Sequence, residues 1–256
     1  MELIKDKEFG GERPLFATHD LRLERITITD GESGIKQCQN MEASDCRFYG
    51  KYPWWHVDGA LIEDCYFAPE SRSAIWYTND LVMRRCVIDG PKFFREMRNV
   101  TLHEGTYPFM FSDNIRVDGL KSDAKYVFQY CRNVEIHNAE IVTKDSFWEC
   151  ENVTVYDSVL DGEYLAWHSK NVRLVNCHLA GEQLLCYCQN LVLENCTIDK
   201  ACDRMFEYST VEADIRGHIE NIKNPTSGHI AADSIGSVTI DENVREPNNC
   251  IIEVRK

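Results

Sequence analysis

Long apolar runs and metal-type cysteine pairs are both missing from this sequence. The 256-residue chain has no stretch of eighteen or more apolar residues, so we expect no membrane-spanning helix. Its first residues lack the basic start and apolar core of a signal peptide, which favours a cytoplasmic protein. No Cys-x-x-Cys pair occurs among the twelve cysteines, and this argues against zinc, iron–sulfur and thioredoxin-like sites. We therefore expect neither a metal nor a cofactor.

Positive charge is also scarce. Lysine and arginine number 28 against 42 aspartates and glutamates, which gives a formal net charge of −14. A long polyanion would be repelled on average, so we expect no nucleic-acid partner and favour a neutral ligand. The hydrophobic content of 43% is that of an ordinary soluble protein.

What the sequence contains is a repeat of about nineteen residues. Four segments align without gaps, and weaker copies precede and follow them. Polar and apolar residues alternate in each copy, as in a strand, and an Asn or Asp interrupts the strand where a turn is needed. We call the first residue of each copy its leading residue; these are Asp20, Asn40, Gly59, Asp80, Asn99, Asn114, Asn133, Asn152, Asn171, Asn190 and, in a degenerate copy, Thr210.

The repeat predicts an all-β fold, a single-domain right-handed parallel β-helix of about eleven coils. Nineteen residues are too few for a pair of helices, and neither a leucine-rich consensus nor the hexapeptide pattern of a left-handed β-helix is present. Successive coils would stack as parallel strands about 4.8 Å apart. Within the domain 1–256 we expect an N-terminal cap over 1–12, coils over 13–220 and a C-terminal cap or tail over 221–256.

The repeat also explains most of the cysteines. Nine of the twelve fall at two repeat positions, and small polarisable side chains that stack inside a solenoid account for them better than a metal or redox role does. One group lies six residues after the leading residue, the other two residues before it: Cys46, Cys65, Cys86, Cys177 and Cys196, then Cys38, Cys131, Cys150 and Cys188.

The coils of the form Asn-Val-x-Leu-x-Asn-Cys-x-Ile resemble those of the pectin-lyase-like β-helix superfamily. Over nearly all of residues 12–220, the chain more closely resembles a bacterial β-helix family of unknown function. The superfamily resemblance implies carbohydrate chemistry, since many members cleave or isomerise polysaccharides. The Asn-x-Asp, Asp-Asp, Gly-His-Gly and Arg-x-Lys motifs of polygalacturonase-like enzymes are absent here, and so is a clear acidic calcium cluster.

The residues just before each leading residue are the most varied in chemistry. The small residues at minus two and the apolar residues at minus five both favour burial, although strict alternation cannot bury both rows. A bend in the strand would reconcile them. The polar row at minus three is most easily placed outside, because unpaired buried charges are costly. We call this row the ladder: Glu96, Phe111, Tyr130, Glu149, His168, Tyr187 and Glu207.

Carboxylates, imidazoles and phenols beside aromatic rings are typical of surfaces that bind sugars. We therefore predict that the protein binds or acts on a carbohydrate along one parallel-strand face, possible enzyme classes being a lyase, a hydrolase or an isomerase. Glu149 and His168 would be the catalytic acid–base pair; the substrate-binding residues would be Glu96, Tyr130, Trp148, Trp167, Tyr187 and Glu207. The alternative is a non-catalytic scaffold, a homodimer formed through the same aromatic face.

Overall fold

The computed structural model describes residues 1–90, 92–103, 105, 113–122, 126–199, 201–244 and 248–255. For residues 98, 113 and 114 it describes the backbone alone. These residues form strands and turns without a helix, so none of them belongs to a helix that could cross a membrane. The chain divides into two compact units, Met1–Lys125 and Tyr126–Lys256. Each unit is a right-handed parallel β-helix, which confirms the predicted fold class.

The first unit contains fourteen strands in its described residues, arranged in three parallel rows. The longest row pairs β1, β4, β7, β9, β11, β13 and β14 in succession. A second row joins β2, β5, β8, β10 and β12, and a third joins β3 to β6. The strands are β1 (Glu2–Lys5), β2 (Glu8–Glu12), β3 (Leu15–Phe16), β4 (His19–Glu24), β5 (Thr27–Glu32), β6 (Ile35–Lys36), β7 (Gln39–Ser44), β8 (Arg47–Phe48), β9 (Asp58–Glu63), β10 (Tyr66–Phe67), β11 (Asn79–Arg84), β12 (Val87–Ile88), β13 (Met97–His103) and β14 (Asp113–Ser122).

The second unit has the same construction. Its main row runs β15, β17, β19, β21, β22, β23 and β24, and a shorter row joins β16, β18, β20 and the end of β21. The strands are β15 (Arg132–His137), β16 (Glu140–Val142), β17 (Glu151–Tyr156), β18 (Val159–Asp161), β19 (Lys170–Val175), β20 (His178–Ala180), β21 (Gln189–Ile198), β22 (Thr210–Lys223), β23 (Ser227–Thr239) and β24 (Asn249–Val254).

The coils extend further at both ends than the sequence pattern indicates. Residues expected to cap the N-terminus form β1 and β2, which pair in parallel with β4 and β5. Residues expected as a C-terminal cap or tail complete β22 and form β23 and β24, again paired in parallel. The turns therefore number about twelve, against the eleven expected.

The turn that the repeat predicts at the second Asn or Asp of each copy is present: Asn138, Asp157 and Asn176 directly follow β15, β17 and β19, with φ of 53°, 50° and 53°. The leading asparagines are left-handed too, but they lie near the start of the main-row strands. Asn133, Asn152, Asn171 and Asn190 all have left-handed backbones, with φ between 53° and 58°. The Nδ2 of each of the last three donates a hydrogen bond to the Oδ1 of the one before it, at 3.0, 2.8 and 2.9 Å. Asn adopts this backbone at a lower cost than most residues, and the amide chain links one coil to the next.

The core is a stack of equivalent residues from successive coils. The cysteines illustrate it: all twelve lie in described residues, none forms a disulfide, and eleven are buried. The Sγ of Cys150 accepts a hydrogen bond from the backbone of Cys131 at 3.3 Å. It also lies 2.7 Å from the carbonyl oxygen of Phe128. The predicted interior position of the cysteine rows is confirmed.

The side of the coil that carries the ladder is not a β-strand, which corrects the predicted parallel-strand face. In the segment before β17, Asp145, Phe147 and Glu149 have φ of 56°, 57° and 50°, so every second residue is left-handed. Phe147 N donates to the preceding coil at Val127 O (3.3 Å), whereas Asp145 N and Glu149 N donate to the following coil. These bonds between coils offset the cost of the left-handed residues.

This winding resolves the conflict between the rows. In the coil before β17, Phe147 at minus five and Cys150 at minus two are each 1% exposed, while Glu149 at minus three is exposed. The same holds in the next coil, where Ala166 and Ser169 are buried and His168 is exposed. The ladder therefore faces outward, and the bend that we considered is the left-handed segment.

Candidate functional site

The backbone determines which residues of the second unit are rungs of the ladder. Tyr130 N donates to Trp148 O and Glu149 N donates to Trp167 O, each at 2.8 Å, and both acceptors directly precede the next rung. By the same rule, the bond from Tyr187 N to Glu207 O (2.7 Å) makes Tyr208 the rung after Tyr187. Tyr208 also has the left-handed φ of a rung, 54°. Glu207, which the sequence pattern made a rung, therefore lies one residue before the rung.

Three rungs form a continuous ring stack, which we define as His168, Tyr187 and Tyr208. The centroids of His168 and Tyr187 are 4.7 Å apart with an angle of 11° between the ring planes. The centroids of Tyr187 and Tyr208 are 5.6 Å apart at 22°. Both faces of Tyr187 are thus covered by neighbouring rings. The stack presents ring edges, which carry the imidazole nitrogens and the phenol groups.

Trp148 and Trp167 support this stack from the adjacent row. Their rings stack on each other at 5.5 Å, and both side chains are half-buried. Trp167 meets Tyr187 edge-on at 5.1 Å, and its Nε1 donates to Gln183 O at 2.5 Å. Trp148 lies 5.6 Å from His168. The two indoles hold the rings of the stack in place, and their predicted contact with a substrate stays a prediction.

The ring stack lines a cleft of about 800 Å³ in the second unit. This volume is within the range of small-molecule sites, roughly 300–1,000 Å³. Its lining is mostly polar and contains neither lysine nor arginine: His168, Tyr187, Cys188, Gln189, Glu207, Tyr208, Thr210 and Thr226. Glu207 and His168 supply the carboxylate and the imidazole of this lining, and Cys188 is buried.

Lys223 and Asn224 hold the Glu207 carboxylate in a network that also includes Asp241. Lys223 Nζ lies 3.4 Å from Glu207 and 3.5 Å from Asp241. Asn224, which is buried, donates from Nδ2 to both carboxylates, at 3.2 Å to Glu207 and 2.8 Å to Asp241. Glu207 is the more enclosed of the two acids, with 16% of its side chain exposed against 49% for Asp241. Glu207 is therefore oriented before any ligand arrives.

The network also perturbs the titration of its neighbours. Burial raises the pKa of the Tyr187 phenol, and the nearby Glu207 charge raises it further. For Lys223, burial alone would lower the pKa, but the carboxylates of Glu207 and Asp241 together raise it. The hydrogen bond from Asn224 lowers the pKa of Asp241. At neutral pH the cleft thus holds a neutral phenol beside a paired carboxylate.

The predicted acid–base pair is only partly assembled. Glu149 and His168 are exposed rungs on successive coils, yet no hydrogen bond or ion pair joins them among the described residues, and His168 alone lines the cleft. Tyr130, a rung on the coil before Glu149, is 37% exposed and also lies outside the cleft lining. Glu96 is an exposed rung of the first unit. Phe111 lies outside the described residues.

Sequence reasoning missed Tyr208, Lys223, Asn224 and Asp241. Tyr208 was misplaced because it lies two residues before Thr210, whereas the rungs of the preceding coils lie three residues before their leading residues, so counting back three positions reaches Glu207. The other three fall where the period fades, although β22 and β23 continue the coils there in parallel register. Asn224 had a signal in the sequence, because it is an Asn directly before Pro225. In the structure it has a left-handed φ of 42°, as the leading asparagines do.

Among the described residues, no group of three or more His, Cys, Asp or Glu side chains lies in position to hold a metal ion.

The fold and the site together define a class: a parallel β-helix protein with an outward ladder and a polar cleft beside it. The family model for "Protein of unknown function (DUF3737)" matches residues 2–105 and 97–253. The chain therefore belongs to the DUF3737 family. No curated protein matches the sequence.

Two other proteins of known structure match the chain at low similarity. A trypsin-treated variant of QnrB1, a plasmid-mediated fluoroquinolone resistance protein, is 13% identical, covering 71% of this chain and 82% of its own, with a TM-score of 0.23. A double mutant of the periplasmic alginate epimerase AlgG is 11% identical, covering 98% of this chain and 76% of its own, with a TM-score of 0.30. At these values neither similarity extends to function.

Proposed function

We propose that the cleft of the second unit binds a neutral carbohydrate. The observation that carries this proposal is the ring stack, which lines the cleft with one imidazole and two phenols on successive coils. Together with Gln189, Thr210 and Thr226 these groups supply hydrogen-bond donors and acceptors at several points, as a ligand rich in hydroxyl groups requires.

The geometry favours hydrogen bonding over stacking. Both faces of Tyr187 are covered, so a sugar ring cannot lie flat on it. The phenol edge and the oriented Glu207 carboxylate instead suit individual hydroxyl groups, and hydrogen bonds to a charged acceptor are stronger than neutral ones. An acidic sugar would meet Glu207 without a cation in the lining, because Lys223 is already paired with two carboxylates.

In an enzymatic form of this proposal, His168 exchanges a proton with the bound sugar. It is the exposed imidazole of the cleft, and Glu149 on the preceding coil is the predicted partner. A lyase, a hydrolase and an isomerase would each need such a group. The same proposal relates the chain to the pectin-lyase-like β-helices, whose carbohydrate chemistry the coil motif suggests.

The test is a thermal-shift screen against neutral and acidic oligosaccharides, with product analysis by mass spectrometry in the same wells. A ligand that binds only the folded state raises the melting temperature by mass action. We expect neutral sugars to raise it, Tyr187→Phe to weaken the shift, and the matched variant Tyr156→Phe to leave it unchanged. Tyr156 also stacks on a histidine, His137 at 4.6 Å, but lies outside the cleft lining.

Products that disappear in the Glu149→Gln/His168→Asn variant would establish the enzyme. Binding without products would indicate a lectin-like protein. A shift that Tyr187→Phe and Glu207→Gln both leave intact would contradict the proposed site. Absence of any shift would favour the scaffold.

The scaffold alternative has one specific observation in its favour. Tyr126 and Tyr130, in the segment before β15, are 45% and 37% exposed. A homodimer would cover them, and aromatic side chains are enriched in such interfaces. A dimer detected by light scattering that Tyr130→Asp splits would support this alternative.

A further inference from the structure

A group of five cations in the first unit has no carboxylate partners. Among the described residues none of the five forms an ion pair, whereas Arg25 pairs with Asp6 and Arg85 with Asp64 in the same unit. In a chain with 42 acidic residues and a net charge of −14, unpaired cations are the less expected arrangement. The five lie on successive coils that also carry one pair of indoles: Lys36, Lys51, Arg72, Lys92 and Arg95.

Two of these cations, Lys36 and Arg95, rest on the rings of the indole pair, Trp55 and Trp76. The rings stack at 5.1 Å with an angle of 11°. Lys36 Nζ lies 5.1 Å from the centroid of Trp55, and Arg95 Cζ lies 4.9 Å from the centroid of Trp76. The order along the coils is therefore cation, indole, indole, cation, and every indole face is covered.

Hydrogen bonds and a ring contact place the backbone of the other three residues beside the indole pair. Trp55 Nε1 donates to the carbonyl of Ser73 at 2.5 Å, and Ser73 directly follows Arg72. Trp76 Nε1 donates to the carbonyl of Lys92 at 2.9 Å. Tyr52, which follows Lys51, has its ring 5.3 Å from Trp55. Successive coils thus bring the backbone of Lys51, Arg72 and Lys92 to the edge of the indole pair, whose outer faces carry Lys36 and Arg95.

Acidic residues adjacent to this group form no ion pair with it among the described residues. Glu32, Glu70 and Glu96 are its acidic neighbours along the coils, and none forms an ion pair with the five. The guanidinium of Arg95 rests on Trp76, and its buried Nε has no hydrogen-bond acceptor. A concentration of positive charge of this kind attracts a multivalent anion.

We propose that these cations bind the phosphoryl group of a small organic phosphate, in a site separate from the carbohydrate cleft. A phosphoryl group offers several charged oxygens, which match the N–H fork of an arginine and the ammonium group of a lysine. Arg72 and Lys92 are exposed and supply the main contacts, and Arg95 contributes from its position on Trp76.

Two features favour a small ligand over a nucleic acid. A nucleobase has no uncovered indole face on which to stack, because Lys36 and Arg95 close the two ends of the indole pair. The net charge of −14 opposes the approach of a long polyanion but costs a single phosphate little at physiological salt.

The experiment is calorimetric titration of the full chain at constant ionic strength with glucose 6-phosphate, glucose, inorganic phosphate, sulfate and a short single-stranded oligonucleotide. We expect the two phosphates to bind, Arg72→Gln/Lys92→Gln to weaken phosphate binding by about tenfold or more, and the same double variant to leave any binding of glucose unchanged. Arg95→Met, which keeps contact with Trp76, should weaken it as well. The control is Arg25→Gln, which removes an exposed but paired arginine.

Binding of both phosphates with loss in these variants supports the site, and the difference between the two probes shows what the sugar adds. The proposal is overturned if neither phosphate binds, if the variants bind as the wild type does, if sulfate binds equally well, or if the oligonucleotide binds more tightly. Tyr187→Phe lies in the other unit and should leave phosphate binding intact, so failure of the carbohydrate proposal can be told apart from failure of this one.

Discussion

Replacing Gly162 with alanine should destabilise the second unit strongly. A Cβ at this position would overlap the backbone carbonyl of Thr143 on the preceding coil. Because the obstacle is backbone, rotation of a side chain cannot relieve it, and the coils must separate locally. The hydrogen bonds at risk are Gly162 N to Ala180 O (2.9 Å) and Thr143 N to Asp161 O (2.8 Å).

The expected loss follows from these contacts. Each weakened hydrogen bond costs about 0.5–1.5 kcal/mol, and forced overpacking adds about 1–3 kcal/mol. We expect a total of about 3–4 kcal/mol, a large share of the roughly 5–15 kcal/mol that stabilises a typical domain. The assay is urea unfolding followed by circular dichroism, comparing midpoints at an unchanged slope.

Gly217→Ala is the matched control. Gly217 has φ of +93°, and no atom lies within 4 Å of the Cβ that alanine would add. Only the backbone conformation is penalised there, by about 1–2 kcal/mol. If Gly162→Ala cost no more than Gly217→Ala, the close approach of the coils at Gly162 would be refuted.

Two further predictions concern the ladder segment. Phe147→Ala should lower the free energy of unfolding in urea by about 3–5 kcal/mol, because Phe147 is 1% exposed and stacks on Phe128 at 5.1 Å. Tyr130→Ala should lower it by less than about 1 kcal/mol, because Tyr130 is 37% exposed. Equal losses in the two variants would contradict the outward ladder. The Tyr187 phenol should titrate above its usual pKa of 10.0, and Glu207→Gln should lower that pKa part of the way, since burial remains. Because the folded pKa is the higher one, the contribution of Tyr187 to stability is complete below pH 10 and is lost as the pH rises through the folded value. Ultraviolet difference titration against Tyr187→Phe measures this, and an unchanged pKa in Glu207→Gln would contradict the closeness of the two groups.

Much of the architecture could be predicted from local pattern. The second Asn or Asp of each copy specifies where the strand turns, since these residues adopt a left-handed backbone at a modest cost, and the equal spacing of the copies determines which residues meet. The buried cysteine rows follow from the same register, because equivalent positions stack in every coil. Both inferences needed only the period and the chemistry of single residues.

The candidate site was less predictable, because small departures from the period control it. The segment between the rung and the leading residue is one residue shorter before Thr210, which puts Tyr208 in the ladder in place of Glu207, and no local signal in the sequence shows this shortening. In the network of Lys223, Asn224 and Asp241 around Glu207, Asn224 bonds to two carboxylates that lie seventeen residues before and after it in the sequence. The repeat is no longer visible in that part of the sequence.

By itself, then, the sequence determined the coil, its turns and the identity of most interior rows, because these depend on periodicity and on the backbone preferences of single residues. The tertiary structure decided which way the ladder faces, since that depends on left-handed residues such as Phe147 and Glu149 whose conformation is stabilised only by hydrogen bonds from neighbouring coils. It also decided which carboxylate borders the cleft, because Glu207 is oriented by Lys223 and Asn224 from the next coil.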